Sequence, residues 1–460
     1  MAHHHVTSAD IPVDGERLVN SKVETVKRFA GGAAVLLGLI SVYLLFFTGP
    51  KIAAPFAYSW LFAMFFFFTL AAGGCFWTLL HNVSNSGWGT SVRRIMENLG
   101  SVFPYMFIFA VPLLFPQVQQ WLYEWMNAHR EAGGAVFESD VKSLFGFYGT
   151  KSMKDALMAN HEGLLANKNW YMNQFAWYAR FFFYFIGLGL VIRTLRKFSV
   201  NQDTDPNPTT KNLFKARFHS TYTLIIFAIT ITFAAIDWLQ GMSYAWFSTM
   251  WGVYIFAGAA LNSMAVIIIT AALMQKAGYL KHVTGPEHYH IMGKLLLAFT
   301  IFWAYIAFSQ FFLIWYANIT EETTWFLDRN TGGWNTASIA LVFCHFVIPF
   351  VILLQAWLKK NPKMLSIMAG YTLLMHVLDH YIITIPERSV SLYGMAFAGD
   401  KRLADFLHVS TSVPGAFWGD ILAFLAVGSG FIFFYLRALT KTATYPHRDP
   451  RILESANVSN

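Results

Sequence analysis

The chain consists of long apolar blocks separated by polar connections. Each block is long enough, at about 1.5 Å per residue, to cross a hydrocarbon layer of about 30 Å as an α-helix. Ten such helices are predicted, at 30–48, 55–81, 102–125, 174–196, 217–240, 244–273, 291–316, 335–358, 364–385 and 413–437. The pattern therefore predicts an all-α integral membrane protein.

The predicted helix 291–316 is not uniformly apolar, because Ser309 and Gln310 lie among Phe and Leu residues. A polar side chain in lipid needs a hydrogen-bond partner. Two interpretations remain open here. These residues either hold the helix against its neighbours or line a path for protons or a polar ligand.

Composition supports a membrane protein, because 56% of the residues are hydrophobic and only 13% are charged. The formal net charge of +8 does not indicate a nucleic-acid partner, because the Lys and Arg residues lie mostly in loops between apolar blocks. Membrane lipids are the expected surroundings. Most of these basic residues fall on one side of the predicted helices, so the positive-inside rule places both termini in the cytoplasm. No cleavable signal peptide is expected before the first block.

The cysteine content limits the metal chemistry of the chain. Cys75 and Cys344 are the only cysteines, and each lies within an apolar block. Two separated thiols cannot supply the four thiolates of an ordinary iron–sulfur site, and a C-x-x-C-H haem motif is absent. A metal centre would have to be held by histidine or carboxylate, and no metal or catalytic residue is predicted.

The helices are predicted to form two four-helix bundles with two flanking helices. The predicted divisions are a polar cytoplasmic segment 1–29, a flanking helix in 30–54, a first bundle 55–197 completed by helix 217–240, a cytoplasmic linker 198–216, a second bundle 244–385, and a flanking helix with a cytoplasmic tail 413–460.

Two connections carry further predictions. The loop after the second helix is amphipathic around Val92 to Leu99, which predicts a short surface helix with Arg93 and Arg94 directed towards lipid headgroups. The long outside insertion 126–173, with an amphipathic helix expected from Ser152 to Leu165, is predicted to be a docking surface for a partner.

Ionisable residues at membrane depth are expensive unless they are paired, so each is a functional candidate. His376, Asp379 and His380 lie at i, i+3 and i+4 and so share one helix face, and His345 falls at a similar depth on the preceding helix. The candidate proton path comprises His345, His376, Asp379, His380, Asp237, Tyr305 and Gln310. Three interpretations remain open. The residues hold the helices in register, form a proton half-channel open to the outside, or ligate a b-type haem through His345 and His376.

A second candidate cluster comprises His81, Glu97, Arg180 and Asp420. His81 and Glu97 belong to the cytoplasmic end of the first bundle, whereas Asp420 begins the last helix on the outer side. Arg180, in the outer half of its helix, is expected to pair with an acid or to reach towards the interface.

Four stretches of the chain carry a specific resemblance. They are WFSTMWGVYIFAG (246–258), GKLLLAFTIFWAYIAFSQFFLIWYANITEET (293–323), HNVSNSGWGTSVRRIMENL (81–99) and NWYMNQFAWYARFFFYF (169–185). They look like the F-type membrane subunit of alternative complex III, a bacterial quinol:cytochrome c/oxidase oxidoreductase. The resemblance spans essentially all ten helices. That family has the polysulfide-reductase (NrfD-like) fold of two four-helix bundles and two flanking helices.

The resemblance implies a non-catalytic subunit in the bacterial inner membrane that binds no redox cofactor. Haem c and iron–sulfur clusters are expected in partner subunits, and menaquinol or ubiquinol in a sister NrfD-like subunit. The implied partners are that sister subunit, an iron–sulfur protein, cytochrome c subunits and a terminal oxidase. The role would be architecture and a proton path coupled to quinol oxidation. The alternative is a stand-alone transporter or ion channel, which predicts helices interrupted near the midplane in both halves.

Overall fold

The structure, a computed structural model, describes residues 5–126, 167–205, 210–331, 333–397 and 413–459. The described residues form helices and no strand, apart from one isolated bridge between Arg17 and Ala443. Nine helices within these ranges are long and apolar enough to cross a membrane. The tenth long helix, Pro362–Phe397, contains the polar residues His376, Asp379 and His380. The chain is an all-α, multi-pass membrane protein.

The helices are numbered here in chain order. They are α1 Ser21–Phe46, α2 Pro50–Val83, α3 Thr90–Gly100, α4 Phe103–Ala110, α5 Pro116–Leu122, α6 Gln174–Thr204, α7 Lys211–Trp238, α8 Trp251–Lys276, α9 Pro286–Ala317, α10 Thr320–Arg329, α11 Gly333–Leu353, α12 Ala356–Lys360, α13 Pro362–Phe397, α14 Val413–Lys441 and α15 Ile452–Ala456.

Helix α2 is the centre of the molecule. Every residue from Ala53 to Leu79 is buried, so this helix is apolar on all sides because protein surrounds it. It packs against α7, α8, α13 and α14, while α1 lies outside and packs mainly on α14. Helices α8 and α13 are also direct neighbours. The two halves of the chain therefore meet around α2 and α8, while the division into two bundles stays a prediction.

Both ends of the chain meet on one face of the molecule. The backbone amide of Val6 donates to Asn457, and the backbone amide of Thr444 donates to the carbonyl of Glu16. These contacts place the N-terminal segment and the C-terminal tail on the same side of the molecule. The prediction that both termini lie in one compartment agrees with this arrangement. The polar segment before the first helix is shorter than the predicted 1–29. Helix α1 already begins at Ser21, and the side chain of Asn20 caps its first turn.

Several predicted boundaries are wrong. The linker 198–216 is largely helical, since α6 continues to Thr204 and α7 begins at Lys211. The predicted helix 102–125 is broken into α4, a 3₁₀ turn and α5, with Pro112 and Pro116 at the breaks. Helix α8 begins at Trp251 rather than 244, and α13 extends to Phe397 rather than 385. The expected helix Ser152–Leu165 lies outside the described residues.

Helix α11 contains a π-helical segment, Val342–Val347, in its middle. Pro349 explains why the α-helical pattern fails there, because it has no amide hydrogen to bond the carbonyl four residues earlier, at His345. π-Segments often mark functional positions in helices. Helices α8 and α9 are continuous at the corresponding depth. Of α8, α9 and α11, only α11 therefore has the kind of interruption that the transporter alternative predicts.

Candidate functional site

Helices α11 and α13 bring three histidines and one aspartate together in the membrane interior. His345, His376, Asp379 and His380 are each at most 2% exposed. The imidazole centroids of His376 and His380 lie 4.3 Å apart, and those of His345 and His376 lie 5.7 Å apart. These four residues, called the histidine cluster below, are the part of the predicted path that the structure assembles.

Asp379 is the most strongly hydrogen-bonded member of the histidine cluster. Its Oδ1 accepts a hydrogen bond from the Tyr254 hydroxyl, and its Oδ2 accepts one from the Trp303 indole at 3.1 Å. The Nδ1 of His376 lies 3.2 Å from the same Oδ2 but is not aligned as a hydrogen-bond donor. The carboxylate therefore has two neutral donors and no cationic Lys or Arg partner among the described residues.

The three histidines have unused hydrogen-bonding capacity. Both ring nitrogens of His345 and of His376, and Nδ1 of His380, have no hydrogen-bond partner among the described residues. The remaining nitrogen of His380 lies 3.4 Å from the Thr69 hydroxyl of α2. A buried polar atom without a partner costs about 1–3 kcal/mol, so several together point to water or protons rather than to packing alone.

Two backbone features allow this close arrangement. Gly258 of α8 faces His376 so closely that an added Cβ would lie 2.5 Å from its Cε1 atom. A glycine at this position lets α8 approach α13 at the level of the histidine cluster. The π-segment of α11 widens the helix at His345, whose ring then packs 4.2 Å from that of Trp303.

A cavity of about 590 Å³ leads from Asp379 to the surface of the helices. Tyr254, Trp303 and Asp379 line its inner end. Its outer wall includes Phe308 and Ile339, which are 64% and 54% exposed. The cavity therefore opens sideways between α9 and α11, towards the surroundings of the helices. It also reaches Arg329 at the end of α10, and its other lining residues are mostly apolar.

Arg329 binds the carbonyl groups of α13 beside Pro386, beyond the histidine cluster. Pro386 has no amide hydrogen for the carbonyl of Ile382, and Nε of Arg329 donates to that carbonyl at 3.0 Å. Its Nη2 donates to the carbonyl of Ile383 at 2.7 Å and to Glu387 at 3.0 Å. Arg329 is 3% exposed and is fully engaged as a structural cation.

Arg388, which directly follows Glu387 in α13, pairs with a residue of α14. Arg388 donates to Asp420 of α14 at 2.9 Å, and Asp420 also accepts from Ser59 at 2.5 Å and from Tyr381 at 2.7 Å. The sequence analysis missed Glu387 and Arg388 because it ended the helix at 385. The charged residues immediately after Pro386 were the available signal that the helix continues.

Asp237 belongs to a different group from the histidine cluster, which corrects its place in the predicted path. Its carboxylate accepts two hydrogen bonds from Arg180, each at 2.8 Å, and one from Tyr184 at 2.5 Å. The expectation that Arg180 pairs with an acid is confirmed. Trp238, which directly follows Asp237, and His380 both pack against the Phe65 ring. The two groups therefore meet through an aromatic side chain and not through their polar atoms.

The other predicted path residues are placed as follows. Tyr305 is 64% exposed and lines the outer wall of the cavity. Gln310 accepts a hydrogen bond from Ser248 at 2.9 Å. This bond holds α9 against the segment that precedes α8, in agreement with the first interpretation of this residue. The second candidate cluster is not a single site, since Arg180 binds Asp237, Asp420 binds Arg388 and Glu97 lies in α3 with Arg93.

Helix α3 is buried, so the prediction that its arginines face lipid headgroups is wrong. Arg93 pairs with Asp449 of the C-terminal tail at 2.6 Å and lies 3.2 Å from Glu97. Arg94 pairs with Asp203 at 2.7 Å. Burial alone would raise the pKa of Asp449, but Arg93 and then Arg451 hold it at about 2. Charge pairing with the tail therefore draws this amphipathic helix into the protein.

His81 lies near Arg93 but makes no polar contact through its imidazole among the described residues. It is 4% exposed, and neither ring nitrogen has a hydrogen-bond partner among the described residues. Gly89 approaches so closely that an added Cβ would lie 2.6 Å from Nδ1. His81 is thus packed under the turn before α3.

The histidine cluster offers the most plausible ligand set in the described ranges. One ligand atom each of His345, His376 and Asp379 lies within 4.8 Å of the others. Ligand atoms of a tetrahedral zinc ion stand about 3.4 Å apart, which this spacing allows, but both oxygens of Asp379 already accept hydrogen bonds, from Tyr254 and Trp303. For a haem, the space beside His345 and His376 is filled by Trp303 and Asp379. The geometry fits a hydrogen-bonding group better than either centre.

No known family matches this chain, and no curated protein is similar to it. Function is therefore argued from the residues and from their geometry.

Proposed function

We propose that this chain is a cofactor-free membrane subunit of a quinol-oxidising respiratory complex of the alternative complex III type, in which it contributes architecture and a proton path. The observation that carries the proton path is the histidine cluster. It combines a buried carboxylate with three imidazoles, and imidazole exchanges protons near neutral pH. The resemblance of the four stretches supports the type of complex.

The proposed path runs outward from the histidine cluster. Protons would pass between His345, His376 and His380 and reach Asp379, whose carboxylate lines the cavity. Water entering past Asn330, an exposed residue directly after α10 that also lines the cavity, would then connect Asp379 with the outer side. Asp237 is not part of this path, because it pairs with Arg180. Tyr305 and Gln310 line the cavity but are not proposed to carry protons, because Tyr305 is 64% exposed and Gln310 binds Ser248.

A direct test of the assembly is the purification of the chain with an affinity tag from its own membrane. Haem c and iron absorbance should accompany it, contributed by co-purifying partner subunits. Deleting residues 135–165 of the outside insertion should leave the helices inserted but reduce the recovery of that absorbance. Equal haem and iron recovery from the deletion variant would refute the docking role, and absence of both from the intact protein would refute the complex.

A second candidate function rests on the cavity itself. Its volume suits a small organic ligand, its lateral opening suits an apolar tail, and Tyr254 and Asp379 could hydrogen-bond a polar ring. A quinol has these properties. Replacing Phe308 with Trp would fill the opening while leaving the histidine cluster intact. If the cavity binds quinol, a photoreactive quinone should label the wild-type chain and not Phe308→Trp. Labelling confined to a partner subunit would eliminate this candidate.

A further inference from the structure

Lys359 is a lysine with a buried stem, and its ammonium group has no counter-ion among the described residues. It lies in α12 and is 6% exposed. Its methylene stem packs on Gly293 of α9, where an added Cβ would lie 2.8 Å from Cγ of the lysine. Among the described residues no carboxylate lies within ion-pair distance of its ammonium group. The ammonium nitrogen is not among the enclosed polar atoms of the described residues, so an anion from outside the protein can reach it.

A second lysine lies beside it. Lys294 directly follows Gly293 in α9, and its side chain is exposed. Burial first, and the charge of Lys294 second, lower the pKa of Lys359. Glu287 of α9 does not pair with either of these lysines, since it pairs with Lys360 at 2.5 Å and lies 3.4 Å from His290. Two cations therefore share a space without an anion.

The surroundings are those of a membrane surface. Lys294 lies in the first half of α9 and Lys359 in α12, just after α11, on the side that the distribution of Lys and Arg assigns to the cytoplasm. Farther along α9 and α11, Ile301 and Val351 are 42% and 54% exposed. Trp357 is 63% exposed, as is common for tryptophan at the level of headgroups. A cationic pair thus borders an apolar face.

We propose that Lys294 and Lys359 bind the phosphate of one anionic phospholipid of the cytoplasmic leaflet, with its acyl chains on the exposed face of α9 and α11. The phosphate supplies the anion that Lys359 lacks and reduces its repulsion with Lys294. A free phosphate ion offers the same charge but not the acyl-chain contacts. The site is separate from the histidine cluster, so it does not depend on the proposed proton path.

The test is native mass spectrometry of the purified protein with its partners, titrated with phosphatidylglycerol. Each lysine near an anionic headgroup is worth about 1 kcal/mol, so Lys294→Gln with Lys359→Gln should weaken the tightest lipid about 30-fold. The matched control, Lys281→Gln with Lys363→Gln, removes two exposed lysines of the same face and should change affinity less than twofold.

Two further measurements keep the outcome clear. Lys294→Gln alone alters only an exposed residue, so it should fold even if the Lys359 variant does not, and it should weaken the lipid about fivefold. Inorganic phosphate at the lipid's concentration should leave the lipid bound. Unchanged affinity in Lys294→Gln, equal binding of phosphatidylcholine, or displacement by inorganic phosphate would each overturn the proposal.

Discussion

Replacing Arg329 with Met tests how α13 is held together at Pro386. The guanidinium is 3% exposed, pairs with Glu387 and bonds the carbonyl that Pro386 leaves free. Methionine keeps much of the volume but removes every one of these bonds. Glu387 is 4% exposed and would be left as a buried unpaired acid.

The magnitude follows from these contacts. Breaking a buried ion pair by removing one partner costs about 3–5 kcal/mol, and an unpaired buried carbonyl costs about 1–3 kcal/mol. These costs overlap, so a total of about 4 kcal/mol is expected. With an unfolding entropy of about 2.1 cal/mol/K per residue, a chain of this length shifts its Tm by about 1 °C per kcal/mol. The expected fall in Tm is therefore about 4 °C.

The assay is thermal unfolding of the purified protein in detergent, followed by size-exclusion chromatography with fluorescence detection. Lys363→Met is the matched control, because this lysine is exposed, and its Tm should stay within about 0.5 °C of wild type. Adding Glu387→Gln to Arg329→Met should recover part of the loss, since the buried charge is gone. The explanation fails if Arg329→Met melts with the wild type, or if the double variant is less stable than the single one.

Two other predictions concern the cytoplasmic face and the contact between α8 and α13. Because the pKa of Asp449 is lowered from 3.8 to about 2, its pairing stabilises the fold by about 2 kcal/mol above about pH 4, and this is lost as the pH falls towards 2. Asp449→Asn should lower the Tm at neutral pH and flatten its fall between pH 4 and 2; an unaltered acid profile would contradict this. Gly258→Ala should cost about 1–3 kcal/mol by clashing with His376, whereas Gly370→Ala, which has open space, should be neutral or stabilising. Equal Tm values for the two alanine variants would show that the close approach at Gly258 is unimportant.

The sequence predicted the helices and the histidine face because both depend on local periodicity. His376, Asp379 and His380 could be assigned to one face from their spacing, and His345 to their depth by counting along the preceding helix. The pattern also predicted a spanning helix at 55–81, although not that it would be buried from Ala53 to Leu79 at the centre of the fold.

The remaining errors concern contacts between residues far apart in the chain. Arg93 and Arg94 look like surface residues, but Arg93 pairs with Asp449, more than 350 positions later, and Arg94 pairs with Asp203. Asp237 was grouped with the histidine cluster by depth alone, but depth does not show which neighbour a side chain faces. Pro386 was interpreted as a helix end, because a proline is usually a boundary unless another group satisfies the freed carbonyl.

The proposed proton path depends on whether Asp379 can exchange a proton, so Asp379→Asn is its most informative variant. Asparagine fits the same contacts: its oxygen can accept from Trp303, and its amide can donate to the Tyr254 hydroxyl oxygen. Only the titrating group is lost. Tyr305→Phe is the control, because Tyr305 faces outward on the same cavity.

The most direct measurement is proton release per electron during quinol oxidation by the intact complex in proteoliposomes, followed with a pH-sensitive dye. The account predicts that Asp379→Asn assembles normally but releases fewer protons per electron, or turns over several-fold more slowly, while Tyr305→Phe matches the wild type. An assembled Asp379→Asn complex with wild-type turnover and proton release would contradict the path and leave the histidine cluster a structural role only.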